Sequence, residues 1–227
     1  MLGRPASSTI DGPAGLIEVV VEDPQTPPIG LVVIAHPHPL MGGTMDNKVV
    51  HTLVRAFVLA GWRAVRFNFR GVGQSESSWD EGRGETVDMM AVLGHFQAEP
   101  DMRGLPVALA GFSFGGYVAA QVYTRLAQAA ANQPAIQVPA QLVLVSPAVS
   151  RFEVPQVPVH TLVVEGEQDD VVPLASILEW ARPQAVPVTV IPGHALPGWW
   201  RHGSFRDEYF EMPGDHFAEV VDGSATG

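Results

Sequence analysis

The chain of 227 residues contains no cysteine, and it contains no long apolar run. The absence of cysteine excludes disulfide bonds, thiolate metal sites and a cysteine nucleophile. No apolar stretch approaches the roughly 18 residues that a membrane-spanning helix requires. Because residues 1–8 also lack the apolar core of a secretory signal peptide, the sequence predicts a soluble, cytoplasmic protein with no membrane partner.

Positive charge is scarce. One lysine and twelve arginines stand against 24 acidic residues, which gives a net charge of −11. Without a basic cluster, binding to nucleic acid or to an anionic membrane surface is excluded. The hydrophobic share of 46% and the charged share of 16% indicate a folded protein, and the length predicts a single domain over residues 1–227.

Apolar runs alternate with helical patterns along the chain. The runs predict strands at residues 16–21, 31–35, 64–68, 106–110, 142–146, 161–165 and 186–191. The helical patterns lie at residues 49–60, 86–98, 116–131 and 174–181. Most of the runs lack polar alternation, which is typical of strands buried on both faces. The sequence therefore predicts an α/β fold with a mostly parallel, doubly wound sheet and helices on both faces, the first run being an antiparallel edge strand.

The most informative segment is G-F-S-F-G at residues 111–115. It follows a predicted strand and precedes a predicted helix, so that Ser113 would lie in a sharp strand-to-helix turn. Such a turn places a serine hydroxyl at the positive end of the following helix, where a developing oxyanion is stabilised. We therefore interpret Ser113 as a nucleophile and the backbone N–H of Phe114 as an oxyanion donor.

A nucleophilic serine needs a base and a carboxylate that orients the base. The carboxylate is expected at the end of a later strand, and the spacing from Gly166 to Pro173 selects Asp169 over Asp170.

The base is less well defined by position. Of the histidines that follow the carboxylate, His194 comes directly after the last predicted strand, and His216 comes later in the chain. Each follows a Pro-Gly turn, so position alone leaves both as candidates.

The loop at residues 36–44 should supply the second oxyanion donor. Two of its residues are prolines without an N–H, which leaves the backbone N–H of Leu40 or, alternatively, of His38 to act with Phe114. His36 and His38 could suggest a metal site, but no third ligand lies nearby, and none is predicted.

Four segments together resemble a known family. They are HPHPLMGGTMDNKV at 36–49, RFNFRGVGQS at 66–75, AGFSFG at 110–115 and GEQDDVVP at 166–173. With the strands around them, they resemble the small, capless bacterial α/β-hydrolases related to dienelactone hydrolase. Within the second segment, Asn68 and Arg70 are expected to tie neighbouring loops together.

This resemblance implies an α/β-hydrolase fold and a triad of Ser113, Asp169 and a histidine. It implies a carboxylesterase that cleaves small-molecule carboxylic esters through an acyl-enzyme, with no metal or organic cofactor. The family pattern places a His-Phe pair after the last strand, and D-H-F at 215–217 matches that pair after an insertion, which favours His216 over His194. A thioesterase, a peptidase or a non-catalytic binding protein of the same fold are the alternatives.

Two further features bear on access to the site. Only residues 151–160 separate the segment SPAVS at 146–150 from the next predicted strand, at the point where this fold commonly carries a cap, so no cap domain is expected and the site should be open. Residues 192–217 form an atypical insertion in which residues 199–217 hold six aromatic side chains. These aromatics predict either a flap over the site or a homodimer interface.

Overall fold

One eight-stranded sheet organises residues 5–193, the part of the chain that the computed structural model describes. The strands are β1 (Ser8–Gly12), β2 (Gly15–Glu22), β3 (Leu31–Ala35), β4 (Arg63–Phe67), β5 (Val107–Phe112), β6 (Gln141–Val145), β7 (Leu162–Gly166) and β8 (Val188–Ile191). The α-helices of this range are α1 (Lys48–Leu59), α2 (Arg83–Gln97), α3 (Phe114–Asn132) and α4 (Leu174–Ala181).

The strand order in the sheet is β1-β2-β4-β3-β5-β6-β7-β8. The pairs β1–β2 and β2–β4 are antiparallel, and every other pair of neighbouring strands is parallel. The prediction of a mostly parallel, doubly wound sheet is therefore confirmed. Because the parallel strands run in one direction, their carboxyl ends meet at one edge, where a site can be assembled from several loops.

The prediction that the strand at 16–21 forms the edge of the sheet is wrong. This segment is β2, which pairs with β4 on one side and with β1 on the other. The edge strand β1 was missed because only Ile10 of its five residues is buried. A short polar strand at an edge carries no apolar run that could reveal it.

Both faces of the sheet are covered by helices. The residues of β3 alternate between two core clusters, with Val32 and Ile34 facing α1, and Leu31, Val33 and Ala35 facing α2 and α3. All five are buried, as expected for a central parallel strand. None of the helices within residues 5–193 is long and apolar enough to cross a membrane.

Asn68 ties two loops at the carboxyl edge together, as predicted, whereas Arg70 ties its loop to helix α2 and not to another loop. The Asn68 amide donates to Glu18 at 2.7 Å and accepts from the backbone N–H of Met45 at 2.9 Å. Arg70 binds the carboxylate of Asp88 through two hydrogen bonds of 2.7 Å each. The Asn68–Met45 contact fixes the loop that follows β3 to the loop that follows β4, and the Arg70–Asp88 pair fixes the latter loop to α2.

The connection from β6 to β7 contains no helix, so it carries no cap. The predicted insertion at 192–217 lies outside the described residues except for its first two positions. Its role as a flap or as a dimer interface stays a prediction.

Candidate active site

Ser113 occupies the turn between the last residue of β5 and the first residue of α3. Its backbone has φ 55° and ψ −115°, in a region that non-glycine residues rarely adopt. The Ser113 N–H donates to the carbonyl of Val145 at 2.9 Å, and its carbonyl accepts from the N–H of Ala148 at 3.2 Å. The predicted strand–turn–helix arrangement is confirmed, and neighbouring backbone holds the strained turn in place.

Two glycines allow the chain to cross closely on either side of Ser113. A Cβ atom on Gly111 would collide with the backbone of Gly115, and a Cβ atom on Gly115 would collide with the carbonyl of Ala35. The second crossing brings the end of β3 against the start of α3. It thereby places the loop after β3 beside the nucleophile turn.

A pocket of about 500 Å³ opens beside Ser113. Asp169, which follows β7, lines the same pocket, so the structure brings these two predicted residues together. Much of the remaining lining is apolar and comes from Met41, Phe112, Phe114, Ala148, Phe152 and Val172. The volume lies in the range of small-molecule sites, where a few polar groups orient a mostly apolar ligand.

Asp169 is held by the backbone of its own turn. One carboxylate oxygen accepts from the N–H groups of Val171 at 2.7 Å and Val172 at 2.9 Å. Burial raises the pKa of Asp169 above its ordinary value, although these hydrogen bonds act in the opposite direction. The neighbouring Asp170 is exposed and does not line the pocket, which agrees with the selection of Asp169 by spacing.

The candidate oxyanion donors differ in position. Within residues 5–193, the backbone N–H groups of Phe114, His38 and Leu40 donate to no acceptor. Phe114 and His38 line the pocket, whereas Leu40 does not and is 68% exposed. The geometry thus favours His38, the alternative donor, over Leu40.

His36 has a structural role. Its Nδ1–H donates to the carbonyl of Pro37 at 2.6 Å, and its Nε2 accepts from the N–H of Phe69 at 3.0 Å. Complete burial lowers the pKa of His36 to about 3, so the ring is neutral. Both ring nitrogens are engaged, and no group of three potential metal ligands occurs among the described residues.

The His38 ring forms part of the pocket wall. It packs against Trp79 with the ring centres 4.5 Å apart and against Phe114 at 5.2 Å. Burial lowers its pKa, and the positive charge of Arg151 lowers it further. A neutral His38 therefore adds apolar surface to the pocket while its backbone N–H stays available.

The candidate bases His194 and His216 both lie outside the described residues. The assignment of the base to His216, with His194 as the alternative, stays a prediction.

The sequence analysis missed a buried, hydrogen-bonded pair close to Asp169, which consists of Glu165 and Ser146. The Glu165 side chain is fully buried and accepts from the Ser146 hydroxyl and from the Gly166 N–H, each at 3.0 Å. Its second oxygen is buried without a partner among the described residues. Burial, together with the charge of Asp169, raises the pKa of Glu165 to about 8. The signal in the sequence was a single glutamate inside an otherwise apolar strand.

Glu165→Gln is expected to flatten the pH dependence of folding stability. Since Glu165 has a pKa of about 8 when folded, against an ordinary 4.5, the native state keeps a proton that the unfolded chain releases. The free energy of unfolding of the unsubstituted protein should therefore fall as the pH rises from 4.5 towards 8, by on the order of 3 kcal/mol at pH 7. Glutamine accepts the same hydrogen bonds without a charge, so the free energy of unfolding of the Glu165→Gln variant should fall much less over this pH range.

Urea unfolding at pH 5 and at pH 7.5 measures this difference. Glu179→Gln, at an exposed position of α4, is the matched control and should follow the unsubstituted protein. Parallel stability curves for the Glu165 variant and the unsubstituted protein would show that Glu165 is ionised in the native state at neutral pH.

Comparison with known proteins identifies the family of the chain. The family model Hydrolase_4, described as serine aminopeptidase, S33, matches residues 26–158, which include the nucleophile turn and the loops after β3 and β4. The chain belongs to this family of α/β serine hydrolases.

Solved structures of α/β serine hydrolases resemble the chain over most of its length. An α/β serine hydrolase homologue from Coxiella burnetii is 37% identical, with a TM-score of 0.73, and the match covers 86% of this chain and 90% of that one. XC6422 from Xanthomonas campestris, an α/β serine hydrolase without a lid, is 32% identical, with a TM-score of 0.72, and the match covers 86% and 87%.

A curated relative of Rickettsia prowazekii, an uncharacterized protein, is 38% identical over 115 residues, which are 51% of this chain and 48% of that protein. The chain thus spans about half the length of this curated relative.

Proposed function

We propose that this α/β serine hydrolase is a carboxylesterase, which hydrolyses small carboxylic esters through an acyl-enzyme. The observation that carries the proposal is the position of Ser113, a strained turn residue that shares a pocket of about 500 Å³ with the buried Asp169. Phe114 and His38, whose backbone N–H groups have no acceptor within residues 5–193, also line the pocket. Residues suited to the roles of nucleophile, orienting carboxylate and oxyanion donor thus line one cleft, which supports the proposal.

Acylation begins when the base, proposed as His216, takes the proton of the Ser113 hydroxyl. The Ser113 oxygen attacks the ester carbonyl, and the negative charge that develops on the carbonyl oxygen is stabilised by the N–H groups of Phe114 and His38. Collapse of the tetrahedral intermediate expels the alcohol, which receives the proton from the base. Asp169 orients the imidazole and stabilises its protonated form.

Deacylation repeats these steps with water. The base removes a proton from water, the resulting hydroxide attacks the acyl carbonyl, and Ser113 leaves as the alcohol once it regains its proton. The carboxylic acid product is released, and the enzyme returns to its starting state. No group other than the chain's own residues and water takes part in this sequence.

The form of the pocket supports small or flexible acyl groups. The β6–β7 connection holds no helical cap among the described residues, so the cleft opens to solvent. A wall that includes Phe112, Phe152 and Val172 offers apolar contact for a short acyl chain. We also propose that the protein is related to dienelactone hydrolase and that it is located in the cytoplasm.

A peptidase is the second candidate, and the description of the matching family model as a serine aminopeptidase favours it. Both reactions use the same acyl transfer, and they differ in the leaving group that the base must protonate. The fold alone therefore does not separate them.

A panel of matched substrates distinguishes the reactions. We expect p-nitrophenyl butyrate to be hydrolysed with a higher kcat/KM than p-nitrophenyl dodecanoate, since a pocket of this volume holds only a short chain. Butyrylthiocholine tests the thioester and alanine p-nitroanilide tests the amide. Faster hydrolysis of the anilide than of every ester would replace the esterase proposal with the peptidase.

A further inference from the structure

The charged side chains of the pocket are not equally available to a substrate. Asp46, Asp169 and Arg151 are the acidic and basic residues that line it within the described part of the chain. Asp46 accepts from the guanidinium of Arg66 at 2.7 Å, and Arg66 is almost fully buried. Asp169 is engaged by two backbone N–H groups and, on the proposed mechanism, by the base. Both carboxylates are therefore already bound by other groups of the protein.

Arg151 is the exception. Its side chain is exposed and makes no hydrogen bond or ion pair with any other residue between 5 and 193. Arg151 nevertheless lines the cleft, and its positive charge helps to lower the pKa of His38 in the same wall. In a chain with a net charge of −11, a cation that lines the same pocket as Ser113 and has no partner within residues 5–193 is a feature that the fold does not require.

The backbone around Arg151 is fastened to the nucleophile turn. The Ala148 N–H donates to the carbonyl of Ser113 at 3.2 Å, and the Ala148 carbonyl accepts from the N–H of Arg151 at 3.1 Å. The next residue, Phe152, packs on Phe114 with the ring centres 5.1 Å apart and stacks on Tyr117 at 4.9 Å. The turn that carries Arg151 is thus held in a fixed position relative to the Ser113 hydroxyl.

We infer that Arg151 determines specificity by binding an anionic group of the substrate, and that the site takes esters that also carry a carboxylate. This inference rests on the proposed esterase function. A guanidinium presents paired N–H donors that match the two oxygens of a carboxylate, and a charge-assisted hydrogen bond is stronger than a neutral one. A neutral ester of the same length enters the same pocket without this contact.

Two substrate pairs test the inference on either side of the scissile bond. The first compares mono-p-nitrophenyl adipate with p-nitrophenyl hexanoate, which differ by a carboxylate at the end of the acyl chain. The second compares 4-carboxyphenyl hexanoate with phenyl hexanoate, which differ by a carboxylate on the leaving group. Arg151→Gln should lower kcat/KM for the anionic member of at least one pair about tenfold more than for its neutral member.

Two further variants complete the test. Arg151→Lys, which keeps the charge, should retain part of the preference, and added salt should weaken the preference in the unsubstituted protein because the site is open to solvent. Arg125→Gln, at an exposed position of α3, is the matched control and should leave both ratios unchanged.

An unchanged ratio in both pairs for Arg151→Gln, with ester hydrolysis intact, would overturn the role of Arg151 and leave the esterase standing. Hydrolysis of none of the four esters by the unsubstituted protein would overturn both proposals.

Discussion

Ser113→Ala is expected to abolish ester hydrolysis, with a loss of kcat on the order of 10⁶. Without the hydroxyl no acyl-enzyme can form, and the free N–H groups of Phe114 and His38 have no tetrahedral intermediate of a covalent path to stabilise. Only direct attack by water remains. Initial rates with p-nitrophenyl butyrate, compared at equal protein concentration, measure the loss.

The matched control for this variant is Ser150→Ala. Ser150 is an exposed serine close in sequence to the pocket residues Ala148 and Arg151, and it does not line the pocket itself. Its substitution should leave kcat within a factor of about two, since exposed positions of this kind change little. The Ser113 variant should fold normally because alanine removes one hydroxyl and keeps the Cβ atom. A Ser113 variant that is folded and retains more than a tenth of the activity would place the nucleophile elsewhere.

The assignment of the base predicts the second large effect. His216→Ala should lower kcat on the order of 10⁴ or more, because it removes the group that is proposed to take the Ser113 proton. His194→Ala should change kcat less than tenfold. Both variants are compared with the unsubstituted protein on p-nitrophenyl butyrate.

The two histidine variants serve as controls for each other, since both follow a Pro-Gly turn in the same part of the chain. Added imidazole distinguishes loss of a base from loss of the fold, because a small base can enter an open pocket and partly restore the rate. If His216→Ala is fully active and imidazole restores the rate of an inactive His194→Ala variant, then His194 and not His216 is the base. Full activity of both variants would show that the base is neither His216 nor His194.

The sequence predicted those parts of the molecule that short local motifs define. The strand–turn–helix arrangement at 111–115 was predictable because a serine between glycines follows one apolar run and precedes a helical pattern. The close contacts that a Cβ atom on Gly111 or Gly115 would make give the physical reason for those two residues. Asp169 was selected by spacing alone, and the structure buries it in the same pocket.

The features that sequence did not reveal depend on tertiary contact. The strand β1 has one buried residue, Ile10, and lies at the edge of the sheet, where it pairs with β2. The preference for His38 over Leu40 arises because the short helical turn at Pro39–Met41 carries the Leu40 side chain out to solvent. Arg151 is an ordinary surface arginine by pattern, and only the folded chain shows that it lines the cleft.

The central claim is that Ser113 is an activated nucleophile, and covalent labelling tests it most directly. An alkyl fluorophosphonate transfers its phosphonyl group to an activated serine with loss of fluoride, and intact mass spectrometry counts the labels. We predict one label per chain, located in the tryptic peptide of residues 104–125, whose only serine is Ser113. Ser113→Ala should take up none. A folded protein that takes up no label, or that carries it on a different residue, would contradict the account.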